Sequence, residues 1–308
     1  MNFVPVSPDP REQPIGPATS HLGDGASLPQ HRWNPVEYAR VAAYVQVREA
    51  LHLLGYYQFR GDERVLDVGS GDGGFTALHL APRVPHGLVV GLDSDVAMLE
   101  GAQANYPSAN YPHLRFVLGD VRRISAALNA LSREAPAAFD LIFSNSALHH
   151  LYTHEEHQRA LIEMRRHAHP ETTLLCSFAG KGNFQDLRTA LDTISQREPY
   201  THAFKGFSYP LWLPEEEQYA QLLERSGFAP QYLELQHRTM QLPDIDALAG
   251  WIRYSVRSYM SRLAGESEET KTRFSLQAAE EYLKLVPPEP DGGCSLTVSN
   301  LILVADAV

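Results

Sequence analysis

The feature that most constrains the fold is a regular alternation of apolar, strand-like runs with helical segments between residues 63 and 195. Runs such as VLDV, LVVGL and DLIFS are apolar throughout, as expected for strands that are covered on both faces. Five strands that alternate with five helices predict a parallel sheet with helices on both sides. The five runs are RVLDVG, GLVVGLD, LRFVLGD, FDLIFSN and TTLLCSFAG.

Two further strand-like runs follow, PQYLELQHRTMQL and SLTVSNLILVADA, and a long helical stretch separates them. We therefore expect an α/β fold, in which a doubly wound, seven-stranded, mostly parallel sheet has its last strand antiparallel and carries a helical cap. Residues 1–30 are rich in Pro, Gly, Ser and Asp. A segment of this composition cannot bury much apolar surface, which predicts an irregular arm.

Charge and hydropathy limit the class of partner. Lys and Arg number 26 against 37 Asp and Glu, giving a net charge of −11. Such a chain lacks the long-range attraction for nucleic acid or anionic lipid that a basic face supplies, so we expect a small-molecule partner instead. No run approaches a membrane span, and no secretion signal is apparent. Cys176 and Cys294 lie in apolar runs and predict reduced core residues. We expect a soluble, cytoplasmic monomer or homodimer.

A glycine-rich turn follows the first strand of the alternation. The stretch VLDVGSGDGGF places Gly69, Gly71 and Gly73 where the backbone must turn tightly and approach a ligand closely. With Gly74, the letters GSGDGG also satisfy G-x-G-x-x-G, which by itself would fit NAD binding.

Acidic residues around this turn favour a different ligand. Asp67 and Asp72 would both meet a pyrophosphate placed on the turn, whereas a cation or ammonium group would suit them. Asp93 ends the second strand, where it can accept hydrogen bonds from ribose hydroxyls, and Asp120 ends the third, where it can accept from an exocyclic amine. The pattern predicts a ligand with an amino acid part, a ribose and an adenine, but no phosphate.

Residues 63 to about 180 resemble the class I, Rossmann-like methyltransferases that use S-adenosylmethionine. The stretches that carry this resemblance are VLDVGSGDG, VVGLDSD, LGDV and FDLIFSNSALHHL. The resemblance implies that the first motif lines the methionine moiety, that the acid after the second strand holds the ribose, and that the acid after the third lies near adenine. The cofactor-binding residues it implies are Asp67, Gly69, Ser70, Gly71, Asp93, Ser94, Met98, Asp120, Val121 and Asn145.

The flanking regions are similar to small-molecule enzymes of the trans-aconitate and juvenile-hormone-acid methyltransferase type. This similarity implies an N-terminal helix that folds over the cofactor, with Trp33, Tyr38 and Gln46 facing the site. It also implies a cap followed by a last strand. The predicted division of the chain is an arm at 1–30, a cofactor-binding Rossmann-like domain at 31–240, a cap insertion at 241–290 and the final strand at 291–308.

Two groups of residues are candidates for binding the methyl acceptor. Arg253 or Arg257 would bind an anionic acceptor, since a guanidinium fork matches a carboxylate or phosphate. The alternative is that both arginines lie on a solvated helix face. An aromatic segment, with Tyr209 and Trp212, could instead wall an apolar acceptor pocket or belong to the cap core.

The stretch SNSALHHL leaves the fourth strand at the point where such sheets bind ligands. We expect His149 first, and His150 second, to face the methyl acceptor as candidate catalytic residues. His154 and His157 follow on the next helix and are predicted to be solvent-exposed. Because no acid or thiol accompanies the histidines, we predict no metal site.

Several functions remain open at the level of sequence. A carboxylate acceptor would need no base, and its methylation would rest mainly on positioning. An apolar natural product or prenyl-type substrate would instead be methylated on carbon or oxygen with help from a histidine base. The alternatives of another class are a non-catalytic protein that binds S-adenosylmethionine and an NAD-dependent oxidoreductase.

Overall fold

The computed structural model describes residues 47–308, and within them seven strands form one sheet. The strand order is β3-β2-β1-β4-β5-β7-β6, so the chain winds outward from β1 in both directions. All neighbours pair in parallel except β7, which is antiparallel to both β5 and β6. The predicted fold is therefore confirmed. The strands are β1 Arg64–Val68, β2 Leu88–Asp93, β3 Leu114–Leu118, β4 Phe139–Asn145, β5 Ala168–Ala179, β6 Phe228–Leu242 and β7 Cys294–Ala307.

Helices cover both faces of this sheet. On one face, α3, α4 and α6 pack against Leu66 and Ile142, and on the other, α1 and α2 pack against Val65 and Phe143. Full burial of each such side chain contributes about 1.5–3 kcal/mol. The helices are α1 over 47–54, α2 Val96–Asn105, α3 Ile124–Leu128, α4 His154–Arg166, α5 Gln185–Ser195, α6 Glu216–Arg225, α7 Ile245–Ser255, α8 Arg257–Met260 and α9 Glu268–Leu285.

The segment after β1 is less regular than the predicted helix. It forms two short helical turns, Thr76–Leu80 and Ala81–Arg83, and Pro82 stands in the second. Proline cannot donate its backbone nitrogen to a helix, and this limits the length of the segment. The first turn still matters for the site, because it fixes Thr76 beneath β1.

The last two strands extend beyond the sheet and carry the cap. β5 pairs with β7 only from Asn300 onward, whereas β6 pairs with β7 back to Cys294. The overhanging ends of β6 and β7 pack into a second core, which is built from α5, α7, α8, α9 and the segment around Tyr200 and Phe204. The helices α7 to α9 thus lie between β6 and β7, as the sequence predicts. Cys176 and Cys294 are free and buried.

Some predictions fall on residues outside the described range. The arm at 1–30 and the start of the N-terminal helix are among them, and only the part of that helix within 47–54 is described. The division of the chain into four parts stays a prediction. None of the helices described between residues 47 and 308 combines the length and hydrophobicity that crossing a bilayer requires.

Candidate active site

The turn after β1 is fixed by backbone hydrogen bonds and by close packing. The amides of Gly69 and Ser70 donate to the carbonyl of Leu92, at 2.7 and 3.1 Å. Gly69 has a φ of +79°, and a Cβ there would lie 2.2 Å from the Cβ of Ala147. Glycine is thus required both for the backbone conformation and for the approach of the loop that leaves β4.

Asp93 holds the second half of the turn in place. Its Oδ2 accepts from the amide of Gly71 and its Oδ1 from the amide of Asp95, both at 2.8 Å. Each carboxylate oxygen retains a further lone pair, which could accept from a ligand hydroxyl. A Cβ on Gly71 would meet no described atom within 4 Å, so there is open space beside Asp93. The buried hydroxyl of Ser70 has no hydrogen-bond partner within the described range.

Asp67 lies beneath the turn, on β1. Its side chain is 3% exposed, and its Oδ2 accepts from the Thr76 hydroxyl at 2.5 Å. Burial raises the pKa of this carboxyl to about 7; the Thr76 hydrogen bond lowers the pKa, and the charge of Asp93 raises it further. A cationic group would stabilise the carboxylate form, whereas a pyrophosphate would not. Asp67 thus opposes the NAD alternative.

Asp120 differs from the other two acids because its charge is already compensated. The Nε of Arg122 lies 2.9 Å from both Asp120 oxygens, and Nη1 of the same guanidinium binds Glu156 on α4. The Arg122 hydrogen bonds hold the pKa of Asp120 below its usual range. Asp120 can still accept from a neutral amine, since its oxygens keep unused lone pairs. The sequence analysis did not predict this ion pair.

The start of α2 presents an exposed surface next to Asp93. Asp95 caps the helix by accepting from the amides of Ala97 and Met98, at 2.8 and 3.2 Å. The Met98 side chain is 41% exposed and could contact an adenine ring from this position. Ser94 is exposed beside it, and Val121 is partly buried after β3. The predicted cofactor residues therefore lie at or just beyond the carboxyl ends of β1 to β4.

The exit from β4 is a strained turn. Ser146 has a φ of +54°, which is uncommon for a residue other than glycine, and its amide donates to Ser177 at 2.8 Å. The Nδ2 of Asn145 donates to the Ser146 hydroxyl at 3.4 Å. Strained backbone of this kind often occurs at functional sites. The turn leads into the loop with His149 and His150, whose ring centroids are 4.5 Å apart.

His149 and His150 have different environments. The His149 side chain is partly buried, and its Nδ1 is buried without a hydrogen-bond partner within residues 47–308. Burial, followed by the nearby His150 and His157, lowers the pKa of His149 to about 3, so its imidazole is neutral. Burial also lowers the pKa of His150; Arg257 lowers it further and Asp93 raises it. His150 thus lies within electrostatic range of both Arg257 in the cap and Asp93 at the end of β2.

The prediction that His157 is solvent-exposed is wrong. Its side chain is 1% exposed, and burial lowers its pKa to about 4. Its Nδ1 lies 3.3 Å from the Tyr219 hydroxyl, and its ring centroid lies 5.0 Å from that of Trp212. His157 therefore belongs to the core under the histidine loop. Within the described chain, no three His, Cys, Asp or Glu side chains group as metal ligands.

The structure separates the residues predicted to bind the acceptor. Arg253 binds Glu268 at 2.5 Å, whereas Arg257 is exposed and forms no ion pair within residues 47–308. Trp212 packs in the core around Tyr219, and Tyr209 lies partly exposed in the same segment. The remaining three predicted residues lie outside the described range: Trp33, Tyr38 and Gln46.

Sequence reasoning missed one arginine near these residues. The guanidinium carbon of Arg188, on α5, lies 4.1 Å from the centroid of the Tyr209 ring. Arg188 is in sequence a charged residue on an amphipathic helix, which ordinarily indicates a solvated position. Only the fold of residues 199–214 over α5 brings Tyr209 to it, and no spacing in the sequence predicts that contact.

Comparisons with known proteins agree with this geometry. Residues 65–171 match a family model described as a methyltransferase domain. The chain is 29% identical to trans-aconitate 2-methyltransferase of Deinococcus radiodurans, over 76% of this chain and 84% of that protein. It is 28% identical to trans-aconitate 2-methyltransferase of Azoarcus sp., over 89% of this chain and 98% of that one. The YcgJ protein of Bacillus subtilis shares the fold, with a TM-score of 0.51 and 17% identity over 87% of this chain and 98% of that chain.

The residues at the carboxyl edge of the sheet fit the donor that this family uses. Asp67 suits an ammonium group, Asp93 keeps lone pairs for two hydroxyls, and the space beside Gly71 is open. The Ser70 hydroxyl, which has no partner among residues 47–308, adds a buried polar group at the same turn. Residues 65–171 thus form a methyltransferase domain of class I type, and its methyl donor is S-adenosylmethionine.

Proposed function

We propose that this enzyme methylates a small carboxylate or another anionic metabolite. The observation that carries the proposal is Arg257, an exposed guanidinium without an ion pair in residues 47–308, within electrostatic range of His150. His150 follows β4, and the carboxyl ends of the central strands are where such sheets bind ligands. A cation at this position favours an anionic acceptor over a neutral or cationic one.

The names of the relatives support the same class of acceptor. Both described relatives are trans-aconitate 2-methyltransferases, and the chain aligns with 84% and 98% of their lengths. At 29% and 28% identity, the resemblance supports a small acceptor with carboxylates more strongly than it supports one particular acid.

The chemistry needs few protein groups. When bound, S-adenosylmethionine supplies a methyl group on a positively charged sulfur, which is already electrophilic. An acceptor carboxylate oxygen forms a bond to the methyl carbon while the carbon–sulfur bond breaks and its electron pair goes to sulfur. No proton is transferred, so a base is not required. Holding the oxygen in line could contribute about 7–11 kcal/mol at best.

The residues of the chain have separate roles in this proposal. Asp67 and Asp93 hold the ammonium and ribose parts of the donor, and Arg257 orients the acceptor. Because the imidazole of His149 is neutral, it can contact the acceptor without drawing the anion away from Arg257. Catalysis then rests mainly on positioning rather than on proton transfer.

A second candidate function is methylation of a phenol, alcohol or carbon acid with His149 as the base. It is favoured by the His149 Nδ1, which is buried and without a partner in residues 47–308, whereas the pKa of about 3 makes this imidazole a weak base and counts against it. However, Tyr200 and Phe204 are buried in the cap core against Phe274, which leaves fewer aromatic side chains for an apolar acceptor pocket. We therefore rank this function second.

A methyl-transfer assay with a chemically varied panel tests the proposal. The purified chain is incubated with S-adenosylmethionine and trans-aconitate, simple monocarboxylates, phenols or prenyl diphosphates, and products are identified by mass spectrometry. We expect methyl esters from one or more carboxylates. Methylation of phenols or prenyl compounds alone would support the second candidate and reject the first.

A substitution at Arg257 tests the observation itself. We expect Arg257→Gln to raise the KM for the carboxylate about 10- to 100-fold, the effect of losing a hydrogen bond to a charged group. The affinity for S-adenosylmethionine should not change. The matched control is Arg197→Gln, which removes an exposed guanidinium that pairs with Glu281. If KM is the same in both variants, Arg257 does not bind the acceptor.

A further inference from the structure

Arg188 is a partly buried cation that forms no ion pair within residues 47–308. It is the fourth residue of α5, and its guanidinium carbon lies 4.1 Å from the centroid of the Tyr209 ring. Its Nε is buried and has no hydrogen-bond partner in the part of the chain that the structure describes. Removing part of a guanidinium from water is costly unless hydrogen bonds or a charge compensate. Stacking on an aromatic face compensates only in part, by about 0.5–2 kcal/mol.

One acid on the same helix is already engaged elsewhere. Asp192 lies one helical turn beyond Arg188, but its Oδ1 accepts from the Tyr259 hydroxyl at 2.7 Å. No ion pair of Arg188 occurs within residues 47–308. Stacking occupies the face of a guanidinium and leaves its N–H donors, which point outward from the edge, for a planar anion. The side chain remains partly exposed, so an anion can reach it.

The position of Arg188 connects it to the proposed acceptor site. Tyr209 lies three residues before Trp212, which packs 5.0 Å from His157 beneath the histidine loop. The Tyr209 ring also lies 6.1 Å from Tyr259, which follows Arg257 by two residues. Tyr209 therefore connects Arg188 to two places. One is the segment with Trp212, which packs beneath the histidine loop, and the other is the cap helix that begins at Arg257.

We infer that Arg188, held against Tyr209, is a specificity-determining residue that binds a carboxylate-type anionic group of the methyl acceptor. This inference rests on the proposed function, because it assigns a second residue to the same acceptor. Arg188 does not contact the transferred methyl. Its contribution is a fixed, partly desolvated pair of N–H donors, which distinguishes an anion from a neutral group of the same shape.

Kinetics with trans-aconitate as the probe acceptor test this role. We expect Arg188→Gln to raise KM about 10- to 100-fold, with kcat and the Kd for S-adenosylmethionine changed less than about 3-fold. Arg188→Lys keeps the charge but not the planar fork, so its KM should lie between those of Arg188→Gln and the unaltered enzyme. Tyr209→Leu removes the stack and should raise KM while leaving the guanidinium in place. Arg197→Gln is the matched control.

A direct binding readout complements the kinetics and does not depend on turnover. The Nε–H resonance of Arg188 can be followed by NMR in the unaltered enzyme, with assignment by its loss in Arg188→Lys. With S-adenosylhomocysteine bound, adding trans-aconitate should shift this resonance, whereas the neutral trimethyl ester should not. Circular dichroism and Tm establish that each variant is folded.

The outcomes separate this inference from the proposed function. If the enzyme methylates carboxylates while Arg188→Gln has an unchanged KM and the resonance does not move, the inference fails and the function stands. If no carboxylate is methylated but trans-aconitate shifts the resonance, the proposed function fails and the anion site stands. An equal shift with the neutral ester would overturn the anion-binding role.

Discussion

Asp67 illustrates how a single residue can couple donor binding to pH. Its carboxyl is buried on β1 and accepts one hydrogen bond from Thr76, and burial raises its pKa to about 7. In an unfolded chain this carboxyl would ionise near its ordinary pKa of about 4. Because the folded pKa is raised, ionisation of Asp67 in the folded chain costs stability in full above about pH 7; the cost shrinks as pH falls from about 7 to about 4 and is absent below about 4. A bound ammonium group reverses this preference.

We therefore predict that binding of S-adenosylmethionine releases a proton near and below neutral pH. If the donor's ammonium lies against Asp67, the Kd should rise up to about 10-fold for each pH unit below about 7. Calorimetry in buffers of different ionisation enthalpy measures both the Kd and the proton release. Asp67→Asn should bind more weakly at about pH 8 but lack the proton release. The same proton release in the variant would contradict the assignment.

Two glycines of the turn should respond differently to the same substitution. Gly69→Ala combines a φ of +79° with a Cβ placed 2.2 Å from Ala147, so we predict a loss of about 2–5 kcal/mol in the free energy of unfolding. Gly71→Ala has open space and a φ of +58°, so the expected loss is only about 1 kcal/mol. Its methyl group should instead raise the Kd for S-adenosylmethionine about 10-fold or more. Urea unfolding and calorimetry distinguish the two effects, and equal stability of the variants would contradict this account.

The sequence predicted that the acidic and glycine positions would come together, because they lie at the ends of strands whose carboxyl ends must meet; that they bind the donor stays a prediction. It did not predict the compensation of Asp120, because Arg122 also depends on Glu156, which lies 34 residues further along the chain. Arg188 was missed for a similar reason, since its aromatic partner Tyr209 belongs to an irregular segment. Side-chain contacts of this kind depend on tertiary packing rather than on periodicity.

At the scale of elements, α4 supports the histidine loop from beneath. The helix begins after Thr153, whose hydroxyl accepts from the amide of Glu156 at 3.2 Å and so caps the helix. His157 faces the core together with Ala160 and Met164, at helical spacing. The sequence did hold this signal, because His157 falls on the apolar stripe of α4. The charge pattern of the helix nevertheless favoured a solvated histidine.

The buried His157 should make the enzyme sensitive to acid. Its folded pKa of about 4 lies below the unfolded value of about 6.5, so between these pH values the unfolded chain binds a proton that the folded chain does not. As the pH is lowered through this window, the free energy of unfolding should decrease by up to about 3 kcal/mol from this residue. His157→Phe should be less stable at about pH 8, through the loss of the Tyr219 contact, but should show a shallower decline in acid.

Urea unfolding at several pH values measures both effects. Arg159→Gln, on the exposed side of the same helix, is the matched control and should follow the unaltered enzyme. If His157→Phe loses stability with the same slope as the control, protonation of His157 does not drive the acid sensitivity.

At the scale of the whole molecule, the paired strands β6 and β7 connect the core around the sheet with the core of the cap. The first core consists of the apolar layers on the two faces of the sheet. In the second core, α5 packs with α7, α8 and α9 around Leu242 and Leu296. The sequence could predict the strand order and the position of the cap, because both follow from local patterns and chain order. It could not predict that α5 would share the core of the cap, since that packing joins segments far apart in the chain.

This arrangement predicts that donor and acceptor protect different parts of the molecule from hydrogen exchange. S-adenosylhomocysteine should slow exchange in 69–74 and 93–98, by up to about 100-fold at 100 times its Kd. Subsequent addition of trans-aconitate should slow exchange in 185–192 and 257–260, while the outer turns of α9 remain unchanged. In Arg188→Gln, the protection from the donor should persist and the protection of 185–192 by trans-aconitate should disappear. Protection of both regions by S-adenosylhomocysteine alone would show that the cap closes on the donor rather than on the acceptor.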